Sequence, residues 1–252
     1  MRRLDGKVLL VAGGGSIGGG IARRFAEEGA SVVLGDVDMD SAGEIIEDIR
    51  SKGGTAVATK LDGADEESVN AAVALACETY GGLDGMHANF AYFGDHSLDV
   101  TVLDIPLETF DAVMNVNTRG FLLCTRAALP KILERGGGSI VFTSSAAAYI
   151  GEIGRVAYGM SKAAGHALMR HVASRFGPQN VRCNVIAPGQ IRNVKWSAEI
   201  TAAQAASADY RHIKRPGTPL DIAALSALLM SDEGSFITAQ VLNVDGGRTM
   251  RA

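Results

Sequence analysis

The chain has 252 residues, of which 47% are hydrophobic and 21% are charged, and its formal net charge is −4. This composition is typical of a globular protein and not of a disordered or fibrous one, and the length suits a single α/β domain. Because no cluster of basic residues stands out, nucleic acid is not an expected partner. No apolar run approaches about 20 residues, so we do not expect association with a membrane.

The beginning of the chain and its cysteines bear on localisation. No apolar run of signal-peptide length follows the charged first residues. The three cysteines are odd in number and lack the spacing of metal ligands, so they predict buried thiols in a reducing compartment and no metal site. We therefore expect one cytoplasmic domain over residues 1–252.

The first predicted unit is a strand at 7–12, a run of glycines, and an amphipathic helix at 21–29. Gly13, Gly15 and Gly18 have the spacing G-x-G-x-x-G, which carries meaning when a strand precedes it and a helix follows. Glycines let the backbone approach a pyrophosphate, whose charge the helix N-terminus stabilises. The pattern favours a dinucleotide-binding turn over an ordinary flexible turn.

The second predicted strand, 31–35, is followed by Asp36. Asp36 lies 23 residues after Gly13 (36 − 13), close to the offset of about 20 residues expected for a ribose-binding acid. A carboxylate there accepts hydrogen bonds from the ribose 2′-hydroxyl and repels a 2′-phosphate, so NAD is favoured over NADP. The alternative is an aspartate that caps the next helix.

The rest of the chain alternates between short apolar strands and amphipathic helices. Repeated β-α-β units of this kind predict an α/β fold of the doubly wound Rossmann type, a three-layer sandwich with a parallel sheet of about seven strands. The further predicted strands are 55–61, one within 83–91, 139–143, 181–187 and 240–244; the further helices are 40–52, 65–80, 109–135 with a bend near 115–118, one that carries Tyr158 and ends near Phe176, and 219–230.

Tyr158 and Lys162 are four residues apart in the helix predicted to end near Phe176. This spacing places the two side chains on one face, one turn apart. A phenol beside an ammonium is an acid/base catalyst, because the positive charge favours the phenolate and lowers the pKa of the tyrosine. A single Y-x-x-x-K also occurs by chance on surface helices, so the pair needs support from the rest of the chain.

That support is a resemblance to the single-domain short-chain dehydrogenase/reductase family, which extends over essentially the whole chain. The most specific motifs are Ser144-Ser145, Tyr158-x-x-x-Lys162 and Pro188-Gly189, in the family's order. Tyr158 lies 13 residues after Ser145 (158 − 145), the family's spacing, so Ser145 matches the catalytic serine better than Ser144. Met114-x-Val116-Asn117 is similar to the segment that carries the family's active-site asparagine, which indicates Asn117.

The resemblance implies a role for each of these four residues. Tyr158 is the general base in alcohol oxidation and the general acid in carbonyl reduction. Lys162 lowers the pKa of Tyr158 and holds the nicotinamide ribose, while Ser145 hydrogen-bonds the substrate oxygen. Asn117 holds a water that links Lys162 to solvent.

The resemblance also implies the residues that bind the cofactor. Asp62 is expected at the adenine, and Pro188, Gly189 and Ile191 at the nicotinamide. The full expected set is Gly13, Gly15, Ser16, Ile17, Gly18, Asp36, Asp62, Gly63, Asn89, Tyr158, Lys162, Pro188, Gly189 and Ile191.

The glycine turn departs from the family's usual T-G-x-x-x-G-I-G. Aligned on the helix that follows, it is one residue short and has Ser16 in place of the middle glycine. Aligned on Gly14, Gly18 and Gly20, the glycines fit but the helix shifts by two residues. We favour the first alignment, because the helix then packs in register.

Two further departures concern polar residues. The family's N-N-A-G after the fourth strand is replaced by Ala88-Asn89-Phe90-Ala91, and Ala12 also replaces a polar residue. We hypothesise that Ala12 and Ala88 are neighbours, so that the two losses are linked. The family's threonine five residues after Pro188 is Asn193, whose amide is still able to bind the nicotinamide carboxamide.

The substrate is expected beyond the carboxyl ends of the strands. The candidate segments are 92–96, 146–151 and a lid at 190–215. Tyr149, Ile150 and Trp196 in these segments indicate an apolar, ring-shaped secondary alcohol or ketone. The histidines are interpreted as residues without a catalytic role, as on exposed loops: His87, His96, His166, His171 and His212.

The leading functional prediction is NAD-dependent interconversion of a hydrophobic secondary alcohol and its ketone by hydride transfer.

 The ring-shaped alcohols indicated above belong to this substrate class, and Asp36 favours the oxidation direction because cellular NAD is mostly oxidised. A second prediction is reduction of a 3-oxoacyl thioester, for which Arg155, Arg192 and Lys195 would form a basic entrance. A third, from a different class, is a catalytically silent NAD-binding regulatory protein, which the intact catalytic residues disfavour.

The expected partners are a small-molecule substrate and further copies of the chain. The predicted helices that end near Arg135 and Phe176 are long and partly apolar. In the family, such helices pack into dimers and tetramers, so the resemblance implies a homotetramer or a homodimer.

Overall fold

A parallel sheet of seven strands lies at the centre of the computed structural model, which describes residues 2–92, 95, 97–193, 199 and 212–250. Every neighbouring pair of strands is parallel, and the order across the sheet is β3-β2-β1-β4-β5-β6-β7. The strands are β1 (Val8–Ala12), β2 (Ser31–Asp36), β3 (Thr55–Lys60), β4 (Gly85–Ala88), β5 (Gly138–Thr143), β6 (Val181–Pro188) and β7 (Val241–Val244). The predicted fold class is confirmed.

Helices cover both faces of this sheet. The side chains of successive strand residues point to opposite faces, so Leu10 joins one core cluster while Leu9 and Val11 join the other. Helices α3 and α5 and part of α6 pack on the first face, and α1, α2 and α7 pack on the second. The helices are α1 (Gly15–Glu27), α2 (Met39–Ser51), α3 (Glu66–Tyr80), α4 (Leu107–Met114), α5 (Gly120–Glu134), α6 (Val156–Phe176) and α7 (Pro219–Met230).

The strand order reverses direction between β1 and β4, which lie side by side while the chain leaves β1 toward β2. In open α/β sheets, ligands bind in the crevice outside the carboxyl ends of the strands at such a switch point. Ala12 and Ala88 are paired in register there, so the two alanines that replace polar residues are neighbours, as hypothesised.

The bend predicted near 115–118 is a π-helical turn, Asn115–Arg119, between α4 and α5. π-turns of this kind place an extra residue in a helix and are frequent at functional sites. Here the turn carries Asn117, whose side chain is completely buried.

The first helix begins at Gly15, six residues before the predicted start at Ile21. The glycines that suggested a long loop are instead helical, because the first turns of α1 approach their neighbours too closely for side chains. A Cβ on Gly20 would lie 2.6 Å from the Cβ of Pro219 on α7, and one on Gly18 would lie 1.9 Å from the carbonyl oxygen of Gly13. Ile21 and Phe25 are buried in register, as the favoured alignment expects.

Two of the three cysteines, Cys124 and Cys183, are buried, and Cys77 is half-buried. Burial raises the pKa of the Cys124 thiol to about 12, so that this thiol stays protonated. The described residues contain no cluster of potential metal ligands. None of the helices within them is long and apolar enough to cross a membrane.

Candidate active site

A cleft of about 730 Å³ opens at the carboxyl ends of the central strands. Its size is within the range of small-molecule and cofactor sites, about 300–1,000 Å³. Twelve of the residues expected in the site line it: Gly13, Gly15, Ser16, Ile17, Asp36, Asn89, Ser145, Tyr158, Lys162, Pro188, Gly189 and Ile191. Gly18, Asp62, Gly63 and Asn117 are not part of its lining.

The glycine turn between β1 and α1 brings bare backbone to the cleft. Gly13 has φ +97°, and a Cβ there would lie 2.5 Å from the backbone nitrogen of Phe90. Gly15 also has positive φ, but it is exposed and nothing lies within 4 Å of its Cβ position. The first turn of α1 has neither a capping side chain nor an acidic residue. This open helix N-terminus fits a pyrophosphate.

Asp36 lies at the end of β2, directly beside this turn. Its carboxylate accepts hydrogen bonds from the backbone N–H of Gly14 (2.5 Å) and of Asp38 (2.8 Å). The cap of the following helix is a different residue, Asp38, whose side chain accepts from Ser41 N–H. The alternative that Asp36 caps that helix is therefore wrong, and its carboxylate is available at the cleft.

A chain of polar side chains, buried except for the half-buried Asn89, connects the glycine turn to α7. Asn89 donates to the carbonyl of Gly13 (3.1 Å) and accepts from the Thr143 hydroxyl (3.0 Å). The Thr143 oxygen is 2.8 Å from Nε2 of His87, and Nδ1 of His87 is 2.7 Å from the Ser226 hydroxyl. Because the Thr143 hydroxyl donates to Asn89, the network assigns the proton to Nε2, and Nδ1 accepts from Ser226.

The interpretation of His87 as an exposed loop residue is wrong, because it lies in β4 and is completely buried. Burial lowers its pKa to about 3, so the ring is neutral and works as a fixed donor and acceptor. His166 on α6 is also buried, and burial together with Arg170 lowers its pKa to about 4. Neither burial is visible in the local sequence.

Tyr158 and Lys162 project from α6 into the cleft and are both almost completely buried, with 6% and 1% exposure. The side chains of Tyr158 and Ser145 are hydrogen-bonded to each other. Lys162 Nζ donates to the carbonyl of Thr143 (3.1 Å) and lies 5.7 Å from the centre of the Tyr158 ring. It also lies 4.9 Å from the centre of the Phe121 ring. The phenol, the serine hydroxyl and the amine therefore share one site.

The pKa values in this site are controlled mainly by burial. Burial raises the pKa of Tyr158, and the Ser145 hydrogen bond and the charge of Arg155 oppose that rise. Burial lowers the pKa of Lys162 to about 7. The expected lowering of the Tyr158 pKa by Lys162 is not seen here, because the amine is turned to Thr143 and its own charged form is destabilised.

The structure separates the two candidate serines. The hydroxyl of Ser144 lies 2.8 Å from Nε2 of His166 and donates to the carbonyl of Lys162 (3.2 Å). The hydroxyl of Ser145 is bonded to Tyr158 and accepts from Ala147 N–H (3.2 Å). Ser145 is thus the serine in contact with the phenol.

Asn117 is placed beside the site and not on its surface. Its amide accepts from Tyr92 N–H (2.7 Å) and donates to the Tyr92 carbonyl (2.9 Å) and to the Ser161 hydroxyl (3.0 Å). These bonds join the segment after β4 to α6 next to Lys162. The role of Asn117 in holding a water stays a prediction.

Asp62 and Gly63 follow β3 outside the lining of the cleft. Asp62 accepts from Ala64 N–H (2.9 Å), as a turn-forming aspartate does. Gly63 is buried under the Phe90 ring, where a Cβ would lie 2.6 Å from a ring carbon. The contact of Asp62 with an adenine therefore stays a prediction.

Some residues at the cleft were not expected from the sequence. Glu152 lines it, and its carboxylate pairs with Arg155 at 2.5 Å. The Arg155 guanidinium lies 5.2 Å from the centre of the Tyr158 ring. Phe90, which replaces the third residue of the family's N-N-A-G, also lines the cleft and contacts Phe121. The departure of Phe90 from the N-N-A-G motif was visible in the sequence, whereas no motif in the sequence indicated that Glu152 would line the cleft.

The substrate side differs in part from expectation. The ring of Tyr149 packs on His166, with centres 5.1 Å apart, and neither Tyr149 nor Ile150 belongs to the lining of the cleft. His96, Lys195 and Trp196 lie outside the described residues, as does most of the expected lid at 190–215. Asn193 and Arg192 do line the cleft.

Comparison with known proteins agrees with this geometry. A family model described as enoyl-(acyl carrier protein) reductase matches residues 11–249. An uncharacterized oxidoreductase of Mycobacterium tuberculosis is 38% identical over 98% of this chain and 99% of its own length. The chain belongs to the short-chain dehydrogenase/reductase family. As a member of that family it is an oxidoreductase, and enzymes of the family use a nicotinamide cofactor.

Two relatives in this short-chain dehydrogenase/reductase family have names that state a substrate. A 2,5-dichloro-2,5-cyclohexadiene-1,4-diol dehydrogenase of Sphingobium indicum is 34% identical, over 97% of each chain. A 7alpha-hydroxysteroid dehydrogenase of Escherichia coli is 33% identical, over 97% of this chain and 95% of its own. A solved short-chain dehydrogenase/reductase from Serratia marcescens superposes with a TM-score of 0.89 at 29% identity, over 98% of this chain and 100% of its own.

Proposed function

We propose that the protein is an NAD-dependent oxidoreductase that interconverts a hydrophobic, cyclic secondary alcohol and its ketone. The observation that carries the proposal is the hydrogen bond between Tyr158 and Ser145 in the wall of the cleft that also contains the glycine turn and Asp36. A substrate oxygen held by both hydroxyl groups lies where a proton donor and a stabilising hydrogen bond are needed.

Tyr158 exchanges the proton of the substrate hydroxyl in this proposal. In alcohol oxidation the phenolate removes it, and in ketone reduction the phenol returns it. Ser145 donates a hydrogen bond to the same oxygen and so stabilises the charge that develops on it. The nicotinamide, when bound, supplies the hydride chemistry.

Lys162 lines the cleft beside Tyr158, with its amine hydrogen-bonded to the Thr143 carbonyl. The Lys162 amine has the reach to bind ribose hydroxyls beside Tyr158, because both side chains line the same cleft. With a pKa near 7, it takes up or releases a proton close to neutral pH and is therefore suited to relay the proton of the phenol.

The preference for NAD rests on Asp36. Its carboxylate lines the cleft at the end of β2, next to the turn that would hold the pyrophosphate. An anion at this position accepts hydrogen bonds from ribose hydroxyls and repels a 2′-phosphate. Within the described part of the chain, the hydrogen bonds named above for the Asp36 carboxylate come from backbone N–H groups and not from a basic side chain that would bind a 2′-phosphate.

The substrate class is supported by the apolar surface of the cleft and by the named relatives. Ile17, Phe90, Ala91, Ala146 and Ile191 contribute carbon atoms to the lining. Relatives named for a cyclohexadiene diol and for a hydroxysteroid both act on hydroxyl groups of rings.

A second candidate function is reduction of a 3-oxoacyl thioester. It is favoured by Arg155 and Arg192, two cations in the lining of the cleft that would attract an anionic carrier arm. It is the weaker candidate, because Glu152 already neutralises Arg155.

The test of the proposed function is Tyr158→Phe, with Tyr80→Phe on α3 as the matched control. We expect the first variant to lose turnover by roughly 10²–10⁴-fold and to bind cofactor normally, because only the proton-exchanging hydroxyl is removed. The control should stay within about twofold of wild type. Both are assayed with NAD and with NADP on cyclic alcohols, steroids and 3-hydroxyacyl thioesters. Undiminished turnover by Tyr158→Phe would remove the mechanism, and a preference for the thioester would favour the second candidate.

We also propose that the protein works as a homotetramer or a homodimer formed through α5 and α6. An apolar groove of about 500 Å³ lies between the π-turn, α5 and α6, lined by Met114, Leu122, Ala164 and Leu168 among others. Leu122 is 45% exposed there, and a second copy of the chain would bury it. A monomer in analytical ultracentrifugation at micromolar concentration would contradict this assembly.

A further inference from the structure

The helix that carries Tyr158 begins without a capping side chain of its own. Arg155 is its N-cap residue and has φ +61°, in the left-handed region that non-glycine residues rarely adopt. The first turn contains no acidic residue. The backbone N–H groups of a first helical turn have no partner within the helix, so they need acceptors from elsewhere.

Asp99 supplies these acceptors from the segment that follows β4. One carboxylate oxygen accepts from Ala157 N–H (2.9 Å) and the other from Tyr158 N–H (3.0 Å). The backbone carbonyl of Asp99 accepts from Arg155 N–H (2.6 Å). Asp99 is 1% exposed, so its charge is stabilised by these bonds and by the helix N-terminus and not by water.

We propose that Asp99 is a positioning residue for Tyr158, an inference that rests on the proposed function. It holds the backbone of the catalytic tyrosine through the tyrosine's own amide. The phenol must meet Ser145 and the substrate oxygen together, and a displacement of about 1 Å at such a site is enough to lower a rate by about 100-fold. No signal in the local sequence of α6 indicates this contact, because Asp99 is 59 residues earlier in the chain.

Asp99 also holds the charged neighbours of the phenol. The charged side chains near the Tyr158 ring are Arg155 at 5.2 Å, its ion-pair partner Glu152, and Lys162 at 5.7 Å. Arg155 is the N-cap of the turn that the Asp99 carboxylate holds, so loss of the two carboxylate bonds lets this turn shift and moves the cation whose charge lowers the pKa of Tyr158. Activity should then need a higher pH in the oxidation direction.

The position of Asp99 couples the substrate side of the cleft to the catalytic helix. The segment containing it starts from Phe90 and Ala91, which line the cleft. Its backbone N–H donates to the carbonyl of Asp95 (3.2 Å), closing a turn of the same segment. Asp99 therefore joins a segment that begins at the cleft to the helix that carries Tyr158.

The experiment compares Asp99→Asn with Asp104→Asn. Asparagine at position 99 keeps one acceptor oxygen but turns an NH₂ group toward a helix N–H. Asp104 is an exposed residue of the same segment, bonded to the Thr101 hydroxyl (2.5 Å), and provides a matched control. Tyr158→Phe is measured alongside, because a Tyr158→Phe variant that stays active would show that the proposed function has failed and not the role of Asp99.

The measurements are kcat and KM for alcohol oxidation between pH 6 and 10, the Kd of NADH by fluorescence, and the melting temperature. We expect Asp99→Asn to lower kcat by about 10–100-fold, to move the pH midpoint upward, and to leave the Kd within about twofold. Asp104→Asn should match wild type. A lower melting temperature with an unchanged kcat and pH midpoint would reduce Asp99 to a stabilising cap and overturn the proposal.

If Asp99→Asn does not fold, Asp99→Ser keeps one acceptor oxygen on a smaller side chain and is assayed in its place. Hydrogen exchange of the wild type gives an independent readout. We expect the amides of Ala157 and Tyr158 to exchange at least 10-fold more slowly than the first-turn amide of Ile17 in α1, a helix whose N-cap residue makes no side-chain capping bond. Equal exchange in the two turns would contradict the contact itself.

Discussion

At the glycine turn the cleft is bounded by bare backbone, whereas at Tyr158 and Lys162 it is bounded by side chains that are almost completely buried. The turn works because side chains are absent: Gly13 and Gly18 leave no room for a Cβ. The tyrosine site works because burial changes the pKa of its groups. The first kind of site is encoded by neighbouring residues, and the second depends on what the rest of the molecule packs around it.

Because of this difference, substitutions in the two regions should affect different properties of the protein. A side chain added at the turn should lower both stability and cofactor affinity. A charge removed from the tyrosine site should abolish activity and leave a more stable protein, because a buried amine is unfavourable for folding.

Lys162→Met is expected to have the largest effect. Turnover should fall by roughly 10²-fold or more, since the amine that relays the proton is lost. Between pH 7 and 10 the unfolded chain holds a proton on this amine that the folded chain has released, so wild-type stability should rise with pH in that window. The slope is at most about 1.4 kcal/mol per pH unit, and the variant should lack it. Urea unfolding at pH 7, 8 and 9 measures both slopes, and parallel curves would show that Lys162 does not titrate in this way.

Gly18→Ala is expected to have the next largest effect. Its Cβ would lie 1.9 Å from the Gly13 carbonyl oxygen, so the turn must shift, at a cost of about 1–3 kcal/mol in the free energy of unfolding. Gly43→Ala on α2, where nothing lies within 4 Å of the Cβ position, should instead stabilise the protein by about 0.5–1 kcal/mol. Unfolding midpoints and NADH affinity are measured for both. An unaltered NADH affinity in Gly18→Ala would separate the turn from cofactor binding.

His87→Gln is expected to have the smallest effect, and it tests the polar chain that joins the two regions. Below pH 6.5 the unfolded chain protonates this histidine while the folded chain, with a pKa of about 3, does not, so wild-type stability should fall as the pH falls. The variant should be about 1 kcal/mol less stable at pH 8 and lose less stability between pH 7 and pH 5. His171→Gln, an exposed change on α6, is the control. If His87→Gln lost as much stability between pH 7 and pH 5 as the wild type, groups other than His87 would be responsible for the loss.

Much of the fold was predictable, because strands and helices leave local periodic patterns. The parallel sheet of about seven strands follows from β-α-β repetition, and even the bend in the 109–135 helix was expected near its observed π-turn. The start of α1 was misplaced because glycines usually indicate loops. Here Gly18 and Gly20 are glycines for a tertiary reason, the close approach of Gly13 and Pro219.

The candidate site was predictable where it depends on spacing along the chain. Gly13, Asp36, Ser145, Tyr158 and Lys162 all line one cleft, as their order and spacing imply. His87 was misinterpreted, because the sequence does not show that Ser226 and Thr143 lie on either side of its ring. The pKa of Tyr158 was expected to fall, because the sequence shows a nearby charge but not the degree of burial.

By itself the sequence determined the kind of sheet and which residues come together at one cleft as candidates for the chemistry, since both follow from short-range patterns of glycine, apolar residues and helical spacing. Only the tertiary structure decided the protonation of Lys162, the neutrality of His87 and the contact of Asp99 with the first turn of α6. These three depend on solvent exclusion and on atoms contributed by segments far apart in the chain, so no local pattern records them.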